Sequence, residues 1–315
     1  MTAAVACARN LEVVGLGYCS WDYLGILDQM PAFDDPTVSL SDYASSGGGP
    51  VSTALVALAR LGAQAGFVGV VGDDESGMKI KAAKEREGID VSRLRILPGA
   101  RSQTCLVLVE HSSGRRSIMC HRGTTHDLEL GPEDRDYITS ARFLHLDGHH
   151  MSAAVRAAQW MRAVGGTVVL DANRARPRLD DLLHHVDVLI TNAWFPKAYT
   201  GEADPSVAAA HLLSGGVRLV VTTLGEKGCA VFTPARSWHV PGFAVQVVDT
   251  TGAGDAFHGA FIYGLLRGWE LERTTLFANA VAAQNCVGLG GRAALPTLQQ
   301  TEAFLKARGC DLGAC

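Results

Sequence analysis

One stretch near the C-terminal end combines glycines, hydroxyl groups and carboxylates at the start of an apolar helix. Residues 247–266 read VVDTTGAGDAFHGAFIYGLL, so an apolar strand end passes through a Gly-rich turn into a segment that is apolar nearly all round. The first amides of a helix have no intrahelical acceptor, and the helix dipole favours an anion there. Gly252 and Gly254, on either side of Ala253, let the backbone approach a ligand closely. The turn therefore predicts a site for a phosphoryl group.

The carboxylate of Asp255 occupies the last position of this turn. An aspartate at a helix start often only caps the helix. Beside a bound phosphate, however, a second anion is costly unless it has a chemical role. Accepting the proton of an attacking hydroxyl is such a role, and the pattern therefore predicts Asp255 to be a general base in phosphoryl transfer.

The composition is that of a soluble globular protein and excludes several functional classes. The chain has 315 residues, of which 47% are apolar and 19% charged, with a net charge of −4. This balance does not indicate a nucleic-acid or membrane binder, and no run of about 18 uncharged apolar residues indicates a membrane span. Eight scattered cysteines without a CxxC pair are interpreted as reduced, and the protein is expected to be cytoplasmic.

Short apolar runs alternate with helical patterns along most of the chain. Strands are predicted at 11–17, 65–72, 143–148, 167–173, 186–192 and 218–225. Helices are predicted at 51–62, 76–88, 152–166 and 205–216. Because parallel strands need crossover connections, the alternation predicts a doubly wound, mostly parallel α/β sheet flanked by helices.

Two regions depart from this alternation. Residues 22–46 and 101–122 have the polar alternation of half-exposed strands, and HSSGRR at 111–116 is typical of a hairpin turn. We expect them to form a small antiparallel β-lid over one edge of the main sheet. No linker or repeat divides the chain, which predicts a single domain over 1–315 carrying this lid.

The motifs together resemble the ribokinase-like (PfkB) carbohydrate kinases. DTTGAGDAFHGAFI at 249–262 is similar to the C-terminal signature of that family, position for position. The segment at 46–77, SGGGPVSTALVALARLGAQAGFVGVVGDDESG, is similar to the N-terminal glycine signature, and VVTTLGEKGC at 220–229 to the nucleotide-side strand and turn. The resemblance covers essentially the whole chain and implies a ribokinase-like fold.

The resemblance also implies roles for individual residues. Asp255 would be the base, and the amides of Gly252, Ala253 and Gly254 would hold the transferred phosphate. Sugar contacts are implied at Asp22, Gly48, Gly49, Thr53 and Asp147. Nucleotide contacts are implied at Asn192, Thr223, Gly225, Gly228 and Asn279. In some relatives a monovalent cation supports the anion site, and Asp249 and Thr251 stand where K⁺ would bind.

Some positions depart from the family pattern. Thr53 replaces a common asparagine and cannot offer an amide's donor and acceptor together. The common Asn-x-x-Glu linked to magnesium is Asn192-Ala193-Trp194-Phe195 here, so Mg²⁺ is expected to be held mainly by ATP phosphates and water, with Asn192 the one candidate protein contact. His258 also stands where relatives often carry asparagine.

For several polar residues the sequence leaves two roles open, ligand binding or a structural contact. Asp147 and His149 of DGHH either face the sugar or phosphates or are structural. Arg174 either attracts phosphate or forms a surface ion pair, and Arg122 ends the lid hairpin, where an anionic substrate would come within its reach. GLGYCS at 15–20 resembles half of a dinucleotide fingerprint, but no helix pattern follows it, and no P-loop motif is present.

The sequence therefore predicts an ATP-dependent sugar kinase that uses ATP and Mg²⁺, with K⁺ as a further candidate ion. A ketohexose-like sugar is favoured over ribose by Thr53 and the segment HLDGHH at 145–150. Two alternatives remain open at this point, a nucleoside kinase on the same fold and a catalytically silent sugar- or nucleotide-binding regulatory protein. Exposed lid strands commonly pair between subunits, so a homodimer formed through the lid is expected.

Overall fold

The computed structural model describes residues 11–310. In chain order the strands are β1 (Val13–Leu16), β2 (Ser20–Leu27), β3 (Asp42–Gly48), β4 (Ala65–Gly72), β5 (Asp90–Leu97), β6 (Gln103–Glu110), β7 (Arg116–His121), β8 (Phe143–Leu146), β9 (Thr167–Ala172), β10 (Val188–Asn192), β11 (Leu219–Thr223), β12 (Cys229–Phe232) and β13 (Ser237–Val240). The helices are α1 (Pro50–Arg60), α2 (Glu75–Arg86), α3 (Pro132–Thr139), α4 (Met151–Ala163), α5 (Leu179–Leu183), α6 (Phe195–Thr200), α7 (Pro205–Ser214), α8 (Ala253–Leu266), α9 (Leu271–Asn285) and α10 (Leu298–Lys306). None of these helices is both long and apolar enough to span a bilayer.

The predicted α/β fold is confirmed. Nine of the described strands form one sheet in the order β13-β12-β11-β10-β9-β8-β1-β4-β5. All its pairings are parallel except those of β12 and β13, which are antiparallel at one edge. Strands such as β4 are buried along their whole length because helices cover both faces of the sheet, which explains their unbroken apolar runs.

Helix α8 is apolar nearly all round because it packs between two other helices. Gly259 lies so close to α1 that an added Cβ would be 2.4 Å from the carbonyl oxygen of Ala54. Gly264 faces α9, where an added Cβ would be 2.6 Å from the hydroxyl of Thr274. These close approaches need glycine, and they bring the starts of α1 and α8 to the same cleft.

The second sheet is the lid, formed by four strands in the order β3-β2-β6-β7. Its two hairpin-like parts, β2 with β3 and β6 with β7, are antiparallel, as the alternating patterns indicate. They are joined to each other by a parallel pairing of β2 with β6, which the sequence analysis did not anticipate. Leu24, Val107 and Val109 form a small separate core on the inner side of the lid.

The interpretation of all cysteines as reduced is wrong for one pair. Cys105 on β6 and Cys120 on β7 are directly opposite partners in the antiparallel ladder, and the structure pairs them as a disulfide. Direct opposition brings two cysteine side chains together without any CxxC spacing in the sequence. The thiols of Cys19, Cys229, Cys286 and Cys310 are free, whereas Cys7 and Cys315 lie outside the described residues.

Candidate active site

A cleft of about 290 Å³ lies between the carboxyl edge of the large sheet and the lid. Of the residues singled out in the sequence, its walls contain Asp22, Gly49, Asn192, Thr223, Thr251, Gly252, Gly254 and Asp255. The walls do not contain Gly48, Thr53, Asp147, Gly225, Gly228, Asp249, Ala253 or Asn279. The motif at the start of α8 and the aspartate of the lid thus face the same space, although more than 200 residues separate them in sequence.

The start of α8 presents backbone amides to this cleft. Gly252 is the residue before the helix, and no side chain caps the helix N-terminus. Within residues 11–310 the N–H groups of Gly252, Gly254 and Asp255 have no hydrogen-bond acceptor, whereas that of Ala253 reaches Thr250 O at 3.3 Å. Free amides at the positive end of a fourteen-residue helix favour an anion such as a phosphoryl group.

Gly252 is required for steric reasons. Its φ of +73° lies in the left-handed region, and a Cβ would be 2.6 Å from the Cα of Gly291. The backbone around residue 291 therefore lies directly against the turn. By contrast, an added Cβ at Gly254 would meet nothing within 4 Å, because this residue faces the open cleft.

The carboxylate of Asp255 lies in the cleft wall with an altered proton affinity. Burial raises its pKa to about 6, against the opposing effects of Arg292 and Arg116, while Asp147 and Asp22 add to the increase. A carboxylate with this pKa is ionised at neutral pH and is a better proton acceptor than an ordinary aspartate. The environment therefore suits the predicted general base.

Asp22 projects from the lid strand β2 towards the start of α1. Its Oδ1 accepts a 2.6 Å hydrogen bond from the hydroxyl of Ser20, and a Cβ on Gly48 would be 2.0 Å from its Oδ2. Burial raises the pKa of Asp22, opposed by the Ser20 hydrogen bond and by Arg292. Gly48 thus makes room for this carboxylate, and the neighbouring Gly49, with a φ of +98°, turns the chain into α1.

Arg292 is a site residue that the sequence analysis missed. Its guanidinium is buried behind the glycine segment and donates to Gly48 O at 2.9 Å and to the hydroxyls of Ser52 at 2.7 Å and Thr53 at 3.1 Å. The hydroxyl of Thr53 therefore has a protein partner and lies behind the cleft wall rather than in it. Burial lowers the pKa of Arg292 to about 10, so it remains a cation close to Asp22 and Asp255.

The carboxylate of Asp147 follows β8 and is engaged by the protein. Its Oδ2 accepts from the Tyr18 amide at 3.2 Å, and its Oδ1 accepts from the His149 amide at 3.0 Å and contacts the His149 ring at 3.1 Å. The ring of Tyr18, which lines the cleft, packs edge-on against that of His149 with centroids 4.2 Å apart. In this arrangement Asp147 fixes the position of Tyr18.

Asp171 and His258 form a second buried feature that the sequence analysis did not assign. The His258 Nε2 lies 3.6 Å from Asp171 Oδ1, and the ring stacks on His145 with centroids 5.4 Å apart. Burial and the nearby Asp255 raise the pKa of Asp171, while burial and His145 lower that of His258. Both shifts favour neutral forms. Both residues line the cleft, Asp171 from β9 and His258 from α8, one turn beyond the proposed base.

The residues implied for the nucleotide lie on the other side of the cleft. Thr223, at the end of β11, donates to Thr191 O at 3.1 Å. The Oδ1 of Asn192 accepts from the amides of Trp194 and Phe195, and its Nδ2 donates to Asn173 O, so both ends of the amide are engaged. Asn192 therefore orders the loop after β10.

The three other residues for which the resemblance implies nucleotide contacts, Gly225, Gly228 and Asn279, lie near β12 and the end of β13. Gly225 begins a short 3₁₀ turn, Gly225–Lys227, and Gly228 follows it with a φ of +88°. The buried Asn279 on α9 donates to Val240 O and Pro241 O at 3.1 Å each. These contacts hold α9 against the end of β13.

A group of polar atoms from Asp249, Thr251 and Asn285 lies behind the turn. Asp249 Oδ1 accepts from the amide and hydroxyl of Thr251, and its Oδ2 accepts from the Gly290 amide. Asn285 donates to Thr251 O, while its own Oδ1 is buried without a hydrogen-bond partner. A buried carboxylate, a carbonyl and an unpartnered amide oxygen are ligands that alkali and alkaline-earth cations prefer. Within residues 11–310, no group of three or more His, Cys, Asp or Glu side chains could hold a metal.

Comparison with known proteins identifies the family. Residues 10–298 match the model of the pfkB family carbohydrate kinases. The chain belongs to this family. It is therefore an ATP-dependent carbohydrate kinase, a phosphotransferase, as the motifs predicted.

Individual relatives agree with this assignment over nearly their full length. The chain is 32% identical to an ATP-dependent ribose-1-phosphate kinase of Halopiger xanaduensis over 95% of this chain and 99% of the relative. It is 28% identical to Probable fructokinase-3 of Arabidopsis thaliana, with 89% of each chain covered. The structure of Arabidopsis thaliana ribokinase with ribose and ATP has a TM-score of 0.81 at 25% identity, covering 94% of this kinase and 99% of that chain.

A further solved structure bears on the metal. An Escherichia coli protein of this fold, in complex with ATP and Mg²⁺, has a TM-score of 0.83 at 22% identity, covering 94% of this kinase and 99% of that chain. The Arabidopsis thaliana structure thus contains ribose and ATP, and the Escherichia coli structure contains ATP and Mg²⁺.

Proposed function

We propose that the kinase transfers the γ-phosphoryl group of ATP to a hydroxyl of a small sugar of the ketohexose or pentose type. The observation that carries this proposal is that Asp255, the free amides of the 252–255 turn and Asp22 share one cleft. A base, an anion site and a second carboxylate are the groups that an alcohol and a phosphate require. The ribokinase and fructokinase relatives support the sugar class.

In the proposed reaction, Asp22 accepts hydrogen bonds from sugar hydroxyls and holds the acceptor hydroxyl towards Asp255. As the oxygen of this hydroxyl forms a bond to the γ-phosphorus, the bond from that phosphorus to the β–γ bridging oxygen breaks and ADP leaves. The proton of the hydroxyl passes to Asp255. The amides of Gly252, Gly254 and Asp255 stabilise the charge on the transferred phosphoryl oxygens.

Mg²⁺ bound to ATP would neutralise charge on the phosphates. The residues near the implied magnesium position give little protein ligation, because the Asn192 amide is engaged by the backbone and no glutamate follows it. We therefore propose that the ion is carried by the phosphates and water. The lid closes over the sugar and excludes water, which would otherwise compete as the acceptor.

A panel of pentoses, hexoses, ketoses and nucleosides, each assayed for ATP-dependent product formation, tests the proposal. We expect a sugar to be phosphorylated and nucleosides to be poor substrates. Preferential phosphorylation of a nucleoside would favour the nucleoside kinase instead. ATP and sugar binding without product for any compound would support the silent regulatory protein.

The raised pKa of Asp255 gives a pH prediction. The base must be ionised to accept a proton, so activity is present above its pKa of about 6 and is lost as the pH falls through that value. We expect kcat/KM for the sugar to fall about tenfold per pH unit below pH 6 and to level off above pH 7. A pH–rate profile at saturating ATP measures this. A profile that stays flat down to pH 5 would remove Asp255 from the role of base.

We further propose that K⁺ binds at the oxygen atoms around Asp249, Thr251 and Asn285 and supports the 252–255 turn. Replacing K⁺ in the buffer by a bulky organic cation is then expected to reduce kcat several-fold, with recovery when K⁺ returns. In Asn285→Asp the added negative charge should change the K⁺ concentration needed for half-activation. An activity independent of K⁺ in the wild-type enzyme would contradict the site.

The outer face of the lid is proposed as a homodimer interface. Leu106 and Met119 are opposite partners on β6 and β7 and are 45% and 48% exposed. Among the described strands, the edge strand β7 has no partner on its free side. We expect Met119→Glu to shift the protein from dimer to monomer in sedimentation velocity. Val207→Glu, a residue 49% exposed on α7, is the matched control. A wild-type monomer at all concentrations would contradict the interface.

A further inference from the structure

We propose that the sugar substrate already carries an anionic group, of the phosphate or sulfonate class, and that three arginines bind it. These residues, Arg122, Arg174 and Arg176, are called the arginine cluster below. The inference rests on the proposed function, because it names the chemistry of the sugar that enters the same cleft.

The fold brings the cluster to the rim of the cleft. Arg122 directly follows β7, two residues after Cys120, which lines the cleft. Arg174 directly follows Asn173, another lining residue at the carboxyl end of β9. Lid and sheet therefore each contribute one arginine near the rim of the cleft.

Arg176 lies deeper than the other two. Its stem packs over the loop after β8, where a Cβ on Gly148 would be 3.4 Å from the Arg176 Cδ. It is half-buried, whereas Arg122 and Arg174 are exposed. Burial lowers the pKa of Arg176, opposed by the charge of Asp147, and repulsion from Arg174 and Arg122 adds to the decrease. Arg122 and Arg174 are therefore both close enough to Arg176 for their charges to repel its guanidinium group.

The protein provides few partners for the charges of these three side chains. Within residues 11–310, no side chain of the cluster takes part in an ion pair or a hydrogen bond. The nearby Arg178, by contrast, donates to Asp181 and to Ser152. Two carboxylates act on Arg176, and both have other contacts: Asp147 accepts hydrogen bonds on both oxygens from Tyr18 and His149, and Asp171 lies 3.6 Å from His258.

Converging cations without partners favour an anionic ligand. Guanidinium groups bind phosphate, sulfonate and carboxylate oxygens through paired hydrogen bonds, and phosphate and sulfonate each offer three oxygens to several donors. The transferred phosphoryl group has its own site at the 252–255 turn, on a different element of the cleft. The cluster is thus available for a charge on the acceptor sugar.

The lid arginine is held in place by its own hairpin end. Gly123 follows it with a φ of +72°, and a Cβ there would be 2.2 Å from the carbonyl oxygen of Arg101. Thr124 exchanges two hydrogen bonds with Arg101, each 2.9 Å long. The position of Arg122 is therefore fixed relative to the lid, so closing the lid would carry this charge towards the bound sugar.

The test compares matched neutral and anionic sugars in ATP-dependent turnover. Ribose is compared with ribose 1-phosphate. Fructose is compared with fructose 1-phosphate, fructose 6-phosphate and 6-deoxy-6-sulfofructose. A sugar acid, 2-keto-3-deoxygluconate, gives the carboxylate arm. We expect one phosphorylated or sulfonated sugar to exceed its neutral partner in kcat/KM by about 10- to 100-fold, the scale of a charge-assisted hydrogen bond. The anion is identified by which sugar, phosphorylated or sulfonated, has the higher kcat/KM.

Variants of the cluster assign the effect to these side chains. Arg176→Gln, and Arg122→Gln combined with Arg174→Gln, should raise KM for the anionic sugar about 10-fold or more, with kcat and the KM for ATP nearly unchanged. Turnover of the neutral partner should not change. Arg178→Gln is the matched control, because this arginine is paired within the protein and lies outside the cluster.

The possible outcomes separate this inference from the proposed function. Preference for a neutral sugar or for the carboxylate, or unchanged KM values in the variants, would overturn the anion site while leaving a sugar kinase intact. A raised KM for ATP in place of the sugar would assign the cluster to the nucleotide and would also overturn it. Failure of the wild-type enzyme to phosphorylate any sugar would contradict the proposed function itself.

Discussion

Asp255→Asn is expected to lower kcat by about 10² to 10⁴-fold, the usual range for the loss of a general base. The amide keeps the size of the side chain and can hydrogen-bond the acceptor hydroxyl, but it cannot take the proton. Because burial raises the pKa of Asp255, its ionised carboxylate destabilises the folded protein relative to the unfolded chain at neutral pH. Removing this charge should leave the melting temperature unchanged or higher.

Steady-state kinetics with the best sugar of the panel measures the effect, and calorimetric titration shows whether ATP and sugar still bind. Asp171→Asn is a useful comparison, because this aspartate lines the same cleft but is paired with His258. A larger loss of kcat in Asp171→Asn than in Asp255→Asn would assign the role of general base to Asp171. Near wild-type turnover in Asp255→Asn would show that this residue is not the general base.

Gly252→Ala is expected to lower kcat by about 10² to 10³-fold, comparable to the loss of a donor that stabilises transition-state charge. The added Cβ would meet the backbone of Gly291 at 2.6 to 2.7 Å, and backbone atoms cannot move aside as a flexible side chain can. The turn must shift, and the free amides then no longer point at the phosphoryl group. The effect should appear mainly in kcat rather than in the KM of the sugar.

Gly268→Ala provides a control on the opposite end of the same helix. Gly268 also has a left-handed φ, +67°, but a Cβ there would meet nothing within 4 Å. This variant should lose about 1 kcal/mol of stability through backbone strain and keep its kcat. Equal losses of kcat in both variants would show that strain in α8, rather than the amide geometry, accounts for the effect.

The sequence predicted the parts of the site that depend on local structure. The 252–255 turn is a continuous motif, and a glycine turn at a helix start has the same geometry in any surrounding fold. The parallel sheet followed from alternating apolar runs. The edge strands β12 and β13, together with α3, were not predicted, since short segments of four to eight residues carry weak periodicity.

Contacts between distant segments could not be predicted in the same way. Arg292 reaches Thr53 across 239 positions, and only the packed fold brings them together. The Cys105–Cys120 disulfide could be predicted only in part. The hairpin turn predicted at 111–116 indicates that the strands before and after it pair with each other. The register of this pairing could not be fixed from the turn boundaries, and a shift of two residues removes Cys105 from Cys120.

The roles of the 252–255 turn and of Asp255 can be tested by a crystal structure of the enzyme with sugar, ADP, Mg²⁺ and a fluoride analogue of the transferred phosphoryl group. We expect the analogue to contact the amides of Gly252, Gly254 and Asp255. We also expect the acceptor hydroxyl to lie about 2.6–3.2 Å from the Asp255 carboxylate. An analogue bound elsewhere in the cleft, or an Asp255 carboxylate turned away from the sugar, would contradict both roles.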